Sequence, residues 1–427
     1  MEALTEEVQR WLRLSDPYPL AITLPATGLS HPPLLDSIIQ SSRRWQQLEL
    51  GCFLSVETDV LTRVLNVSSD DLCMLREIRI HQLYSTFDYR SHEMQDHPWY
   101  QSLLTAQGLR SIFIADLPED KLNTNIPPNW KNLNHVFIHS RILLGHAHRI
   151  LTYCCNLKAC LLEIAWEQRY ANTLDDSVAI LPHLTYLSLH GEEHACNVII
   201  CSIEAPSLQV LDCQGLFPSD FDELGGSIFF QKINSLETFR VDHRCITELE
   251  SQGHVLKYFT HIPSVKHLVL DRPRKVRMCC PSHTHDAYPE HDNLTLITTL
   301  HKFRHQYSFD SAPTVLFPSL ETFEAYGIFG VTDLAFLEFI KARIDATKSN
   351  AGVSKLKKVF VEFLGTRQTD IIPEALAYAQ AAGIKLELDL TYHTPKKEVN
   401  SNAAWSPSYG LSPNDVSWEY PSPLYEY

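Results

Sequence analysis

One short arrangement of apolar and polar positions recurs along this chain: an apolar residue, two variable ones, apolar, variable, apolar. It often follows a Pro-Ser or similar pair. Two copies, "LPHLTYLSLHG" (Leu181 to Gly191) and "APSLQVLDCQG" (Ala205 to Gly215), match at an offset of 24 residues. Eleven frames begin at Trp45, Leu75, Leu109, Leu133, Leu157, Leu184, Leu208, Leu236, Val265, Leu320 and Leu356. Most successive starts are 24 to 36 residues apart, with one interval of 55 before Leu320. Side chains alternate along a strand, so the second and third apolar residues of each frame share one face. The first covers the interior from the side. A single strand cannot bury that face alone, so the units must stack strand beside strand around a common interior. The spacing lies near the roughly 20 to 29 residues of leucine-rich repeats.

Between frames the chain has to return, and several returns read as helices. "PPLLDSIIQSSRR" opens on proline, puts Leu34, Leu35, Ile38 and Ile39 on one stripe and ends in two arginines. "TDLAFLEFIKARIDATK" offers Thr332 as N-cap and a stripe of Leu334, Leu337, Ile340 and Ile344. "DIIPEALAYAQAAG" stops at Gly383, a natural C-cap, before the alternating strand "IKLELDL". The expected fold is therefore α/β: an irregular leucine-rich-repeat-like solenoid over residues 1–390, with a curved parallel sheet on one side and helices and loops on the other. Within it, residues 1–44 read as an N-terminal helical cap, and 271–316 as an insertion or a degenerate unit. Residues 391–427, rich in Pro, Ser, Asn and Tyr and without periodicity, read as a disordered tail.

These residues resemble a family. "VQRWLRLSDPYPLAITL", then "LLDSIIQSSRRWQQLEL", then the "LPHL", "APSL", "IPSV" and "FPSL" frames are similar to fungal F-box proteins with degenerate leucine-rich-like repeats. The likeness covers about residues 8 to 390. It is carried by Trp11, Leu12, Pro19 and Leu20, by Ser42, Arg44 and Trp45, and by the Pro-Ser-Leu frames. The resemblance implies a repeat region that recruits substrates to a cullin-RING ubiquitin ligase, whose adaptor binds a short helical F-box. The stretch before Trp11 is too short for the three helices of an F-box, so the adaptor becomes a partner only if an F-box is supplied upstream. Regular leucine-rich repeats place an asparagine eight residues after the first leucine. Here those places hold Glu192, Leu216, Arg244 and Pro273, which predicts irregular twist and loop length.

Charge narrows the partners. The net charge of −15, from 36 basic and 51 acidic side chains, repels phosphate backbones. The basic run "RPRKVR" (Arg272 to Arg277) is short and reads as a solvated loop. Nucleic acid is therefore not an expected partner. No apolar run approaches the roughly 20 residues of a membrane helix, and "MEALTEEVQRW" lacks a signal-peptide core, so a cytoplasmic or nuclear location off the membrane is expected. The eleven cysteines then read as reduced and mostly buried.

Candidate chemistry is thin. "CCPSHTHDAYPEHD" gathers Cys279, Cys280, His283, His285 and His291, and supports the alternative of a metal-dependent enzyme or zinc-binding protein. Adjacent cysteines and a one-residue histidine spacing match no common zinc pattern, so an exposed loop is the simpler reading. No phosphate loop, nucleophile elbow or His-Glu-x-x-His motif is present. No catalytic residue, metal or cofactor is expected. Histidines such as His135, His139, His190 and His267 fall on outward strand positions, which points to a surface role. The outward slots also place Tyr186, His190, Asp212, Arg240, Asp242, Asp271, Glu324, Tyr326, Phe360 and Glu362 on one sheet face. Acids interleaved with aromatics suit recognition of a protein with a basic surface. The function expected is a non-enzymatic protein-protein interaction scaffold.

Overall fold

A computed structural model describes residues 2–24, 32–51, 63–64, 66–81, 101–115, 126–165, 177–213, 226–242, 259–271, 317–328, 331–349 and 352–393. Its largest element is a parallel sheet of thirteen strands, each hydrogen-bonded to the strands before and after it in chain order. The strands are β1 (Leu20–Leu24), β2 (Trp45–Leu50), β3 (Glu77–Ile80), β4 (Ser111–Ala115), β5 (His135–Leu143), β6 (Ala159–Ala165), β8 (Tyr186–Gly191) and β10 (Val210–Cys213). There follow β11 (Thr238–Asp242), β12 (His267–Asp271), β13 (Thr322–Ile328), β14 (Lys358–Leu364) and β15 (Glu387–His393). Two short strands, β7 (Ala179–Ile180) and β9 (Ile203–Glu204), form a separate pair.

All eleven frames become strands of the large sheet. Their second apolar positions stand in register, strand by strand: Leu48, Ile78, Ile112, Val136, Cys160, Leu187, Leu211, Phe239, Leu268, Phe323 and Val359. Every one is buried, in a hydrophobic cluster that runs without a break from Leu12 to Leu386. Cysteines at frame positions behave as small hydrophobes: Cys160 and Cys213 are buried free thiols. Burial pushes the Cys160 thiol up, which keeps it protonated.

Eight α-helices lie among the described residues: α1 (Glu2–Leu14), α2 (Pro32–Gln40), α3 (Gln101–Leu104), α4 (Leu144–Tyr153), α5 (Glu193–Cys201), α6 (Gly226–Lys232), α7 (Asp333–Ser349) and α8 (Ile372–Ala381). The helices cover the buried side of the sheet. Ala147, Ile150 and Leu151 of α4 join the common cluster, as do Ala195, Cys196, Ile199 and Ile200 of α5. No described helix is long and apolar enough to cross a membrane.

Several expectations need correction. Residues 1–44 are not purely helical, because β1 pairs with β2 and sets Ile22 beside Leu48 and Leu24 beside Leu50. Its burial alternates as a strand's should, although it lacks the leading apolar residue of the frame. The helix expected through Arg44 stops at Gln40, and a 3-10 turn covers Ser42–Arg44. That turn aims Arg44 at the C-terminal end of α1. Its guanidinium donates to the carbonyls of Leu12 (2.9 Å), Ser15 (2.7 Å) and Tyr18 (3.0 Å) and to Ser15 Oγ (2.8 Å). A cation suits the negative end of the helix dipole. On α7, Thr332 caps as expected by accepting from Ala335 N at 3.2 Å, but Leu334 is exposed and Phe336 and Phe339 take its place in the core. Strand β15 runs to His393, three residues past the expected boundary at 390. Residues 272–316 and 394–427, with the Cys279–His291 cluster, lie outside the described residues.

Three described glycines, Gly191, Gly327 and Gly383, take positive φ, a conformation that other residues resist. Gly383, at φ +67°, ends α8 as the sequence implies. Gly191, at φ +119°, closes β8 against β6, where any Cβ would overlap the carbonyl of Ile164.

Candidate functional site

The residues between the core positions of each strand point to the opposite side of the sheet, and every residue of the expected docking surface lies there. They form three rows across the strands. The central row runs Thr23, Glu49, Arg79, Phe113, Phe137 and Leu161, then Ser188, Asp212, Arg240, Val269, Glu324, Phe360 and Asp389. Cross-strand neighbours at about 4.8 Å decide what each side chain meets.

One group centres on Asp212. Ser188 Oγ donates to Asp212 Oδ2 at 3.2 Å and lies 2.7 Å from His190 Nε2. His190 Nε2 and Arg240 Nη1 each sit 3.9 Å from the same Oδ2. Serine, imidazole and carboxylate form a closed triangle. A nucleophilic relay needs the carboxylate to orient the imidazole from its far nitrogen while the hydroxyl meets the substrate. Here Asp212 holds the hydroxyl itself, and Ser188 is wholly buried. The arrangement orders the surface.

A second group centres on Glu324. Its Oε2 accepts from the Tyr326 hydroxyl at 2.8 Å, and Oε1 lies 3.3 Å from His267 Nε2 and 3.5 Å from Lys358 Nζ. Tyr326 packs on Phe360 with ring centroids 5.1 Å apart. These partners hold the Glu324 carboxyl down at about 2: His267 contributes most, burial opposes, and Tyr326 and Lys358 add to the lowering. Burial, followed by the bond to Glu324, pushes the Tyr326 hydroxyl up, so it remains a donor. A carboxyl with a depressed folded pKa stabilises the fold above its ordinary value of 4.5, and that stabilisation is lost as pH falls toward about 2. Glu324→Gln is therefore expected to be less stable than the parent at neutral pH, with a gap that narrows between pH 4.5 and pH 2. Denaturant titrations at stepped pH measure it; a gap constant across that window contradicts the assignment.

Burial revises part of the expected surface. Asp212 and Asp242 are 4% and 2% exposed, so they support their neighbours and do not present themselves to a partner. Asp212 is enclosed by Ser188, His190 and Arg240 from the two neighbouring strands. Asp242 also stands directly opposite the half-buried Asp271. His135, His139, His190 and His267 are half-buried, where exposed positions were expected. Tyr186, Arg240, Glu324, Tyr326, Phe360 and Glu362 keep partial exposure, and Glu362 lies 3.8 Å from His393.

A third group escaped the sequence reading. Phe113 is flanked by His81 and His139, with ring centroids 5.1 and 5.4 Å away, and His135 stacks with Phe137 at 6.4 Å. The signal was present: "LRSIFI" and "LNHVFI" carry phenylalanine in the slot between two core positions, where the frame leaves room for a polar residue.

Among the described residues no group of histidine, cysteine or acidic side chains is arranged to hold a metal. No protein-family model matches the chain, and no curated protein matches it.

Proposed function

We propose that the chain is a non-enzymatic scaffold for protein-protein interaction, built as an irregular leucine-rich-repeat-like solenoid. In this reading it is the substrate-recognition repeat region of an F-box-type protein, and a ligase adaptor is engaged only through an F-box upstream of the repeats. The observation that carries the reading is the loading of the open sheet face, whose partly exposed aromatics sit among carboxylates fixed by cross-strand contacts. On β10 to β15 the outward positions present Asp271, Glu324, Glu362, Glu387 and Asp389 against Arg240 and Lys358, with Asp212 and Asp242 buried among them. An excess of acid on a preordered surface selects a partner with a basic face and speeds the encounter. Strand-by-strand stacking supplies the extended surface that repeat proteins use for binding. Among the described residues the cysteines are free and four of the seven are buried, which suits a reducing cytoplasmic or nuclear compartment.

The test is affinity capture with quantitative mass spectrometry, comparing the parent with Arg240→Glu combined with Tyr326→Ala. Both side chains are partly exposed, and the double change takes Arg240 away from Asp212 and Tyr326 away from Phe360, so the order of the face is lost and specific partners should be depleted about tenfold or more. An unchanged set of bound proteins sinks the assignment of this face.

A further inference from the structure

The open face has two unlike halves. On β4 to β6 the central slots hold Phe113, Phe137 and Leu161, bordered by His81, His135 and His139. On β10 to β15 the outward positions are dominated by carboxylates. Between them lies the closed triangle of Ser188, His190 and Asp212. On the other flank of the aromatic half, Arg79 pairs with Glu77 at 2.5 Å, and Glu49 lies 3.1 Å from His81.

Phe113 and Phe137 are half-buried in slots that face away from the core, while Ile112, Ile114, Val136 and Ile138 beside them are fully buried. Adjacent phenylalanines on a sheet's outer face leave apolar ring surface in water, which is costly unless something covers it. Their neighbours keep the site apolar. Burial, helped by Lys158, pushes the His135 imidazole below its ordinary range, and Ser111 Oγ lies 2.9 Å from its Nδ1, so this ring stays neutral at neutral pH. A neutral imidazole stacked with a phenyl ring makes a platform for an apolar or aromatic side chain.

We propose that this platform is the anchor pocket for an extended segment of the partner protein, and that the same segment carries basic residues onto the acidic half. This rests on the protein-recognition reading above and adds the partner's chemistry and spacing. The direction follows charge: the β2–β3 flank sets Glu49 and Glu77 against Arg79, whereas β10 to β15 set seven carboxylates against Arg240 and Lys358, so a basic segment is drawn toward β10 and beyond. The spacing follows from the sheet. Asp271 and Glu324 lie five and six strands beyond Phe137. At about 4.8 Å per strand that is about 24 to 29 Å, which an extended peptide crosses in about seven to nine residues.

The experiment selects random 16-residue peptides displayed on phage against the immobilised full chain, then measures individual synthetic peptides by fluorescence anisotropy at two salt concentrations. Enriched peptides should pair an aromatic or aliphatic residue with lysines or arginines about seven to nine positions away. Phe113→Ala with Phe137→Ala should weaken them tenfold or more while leaving the salt dependence in place. Glu324→Lys with Glu362→Lys should remove the salt dependence. Phe113→Gln and His139→Ala, which leave every core side chain intact, repeat the first comparison in case the double variant misfolds; unchanged thermal melts certify them. If peptides bind through the acidic half but ignore Phe113 and His139, or lack an apolar anchor, the platform inference is overturned and the protein-recognition reading stands. If no peptide is enriched, or binding ignores both halves, both are overturned.

Discussion

Phe239→Ala should destabilise the protein by about 3–5 kcal/mol. The side chain is fully buried, in register between Leu211 and Leu268. It also meets Phe230 of α6 edge-on at 6.2 Å and Phe259 at 5.8 Å, so it joins the sheet to the covering layer on both sides. Removing the ring loses its transfer free energy and opens a cavity between aromatic neighbours that cannot collapse without leaving their own rotamers. Phe239→Leu keeps most of the volume and should cost less than about 1.5 kcal/mol. Denaturant unfolding of the two variants gives the comparison. A loss under about 1 kcal/mol for alanine would mean that neighbouring units do not share an interior.

Asp333→Ala should cost about 3–5 kcal/mol through a different mechanism. Asp333 opens α7 and is 3% exposed. Its Oδ2 accepts from the backbone amides of Gln368 (2.8 Å) and Thr369 (2.7 Å), and Oδ1 accepts from the Tyr392 hydroxyl at 2.7 Å. One carboxylate thus ties together the start of α7, the connection after β14 and the last strand. Alanine would leave three donors without their acceptor, each costing about 1–3 kcal/mol if water cannot reach it, and would remove an anion from the positive end of a helix. Tyr392→Phe removes a single one of these bonds and should cost only about 1 kcal/mol. Amide hydrogen exchange across 366–393 reports the loosening. Equal costs for the two variants would show that Asp333 does not organise this end.

The frame made the sheet legible because the burial of two residues, two apart, leaves a period that substitution cannot hide. Ile112, Val136 and Leu187 sit where alternation puts them. The two outer strands were harder to read for opposite reasons. β1 alternates through Leu20, Ile22 and Leu24 but has no leading apolar residue, and a helical cap was the simpler reading of its surroundings. β15 was visible as alternation, yet nothing in Thr391, Tyr392 or His393 shows that the strand continues through them. The outward face was legible as a face and not as a surface. Alternation tells which side Asp212 and Asp242 occupy, but only the neighbours across the strands decide that both are buried. Arg44 shows the same limit. Its spacing from α1 is 29 to 32 residues along the chain, and no local pattern encodes that its guanidinium finds the carbonyls of Leu12 and Ser15.

Every strand of the large sheet except the edge strands β1 and β15 lies between the sheet strands that precede and follow it, and none is inserted between two earlier ones. Under tension applied at the two ends, the rungs therefore carry load in series. Each can part without waiting for a distant rung, so extension should proceed as a staircase of small yields, beginning at whichever end is less well buttressed. The lightly buried β15 is that end.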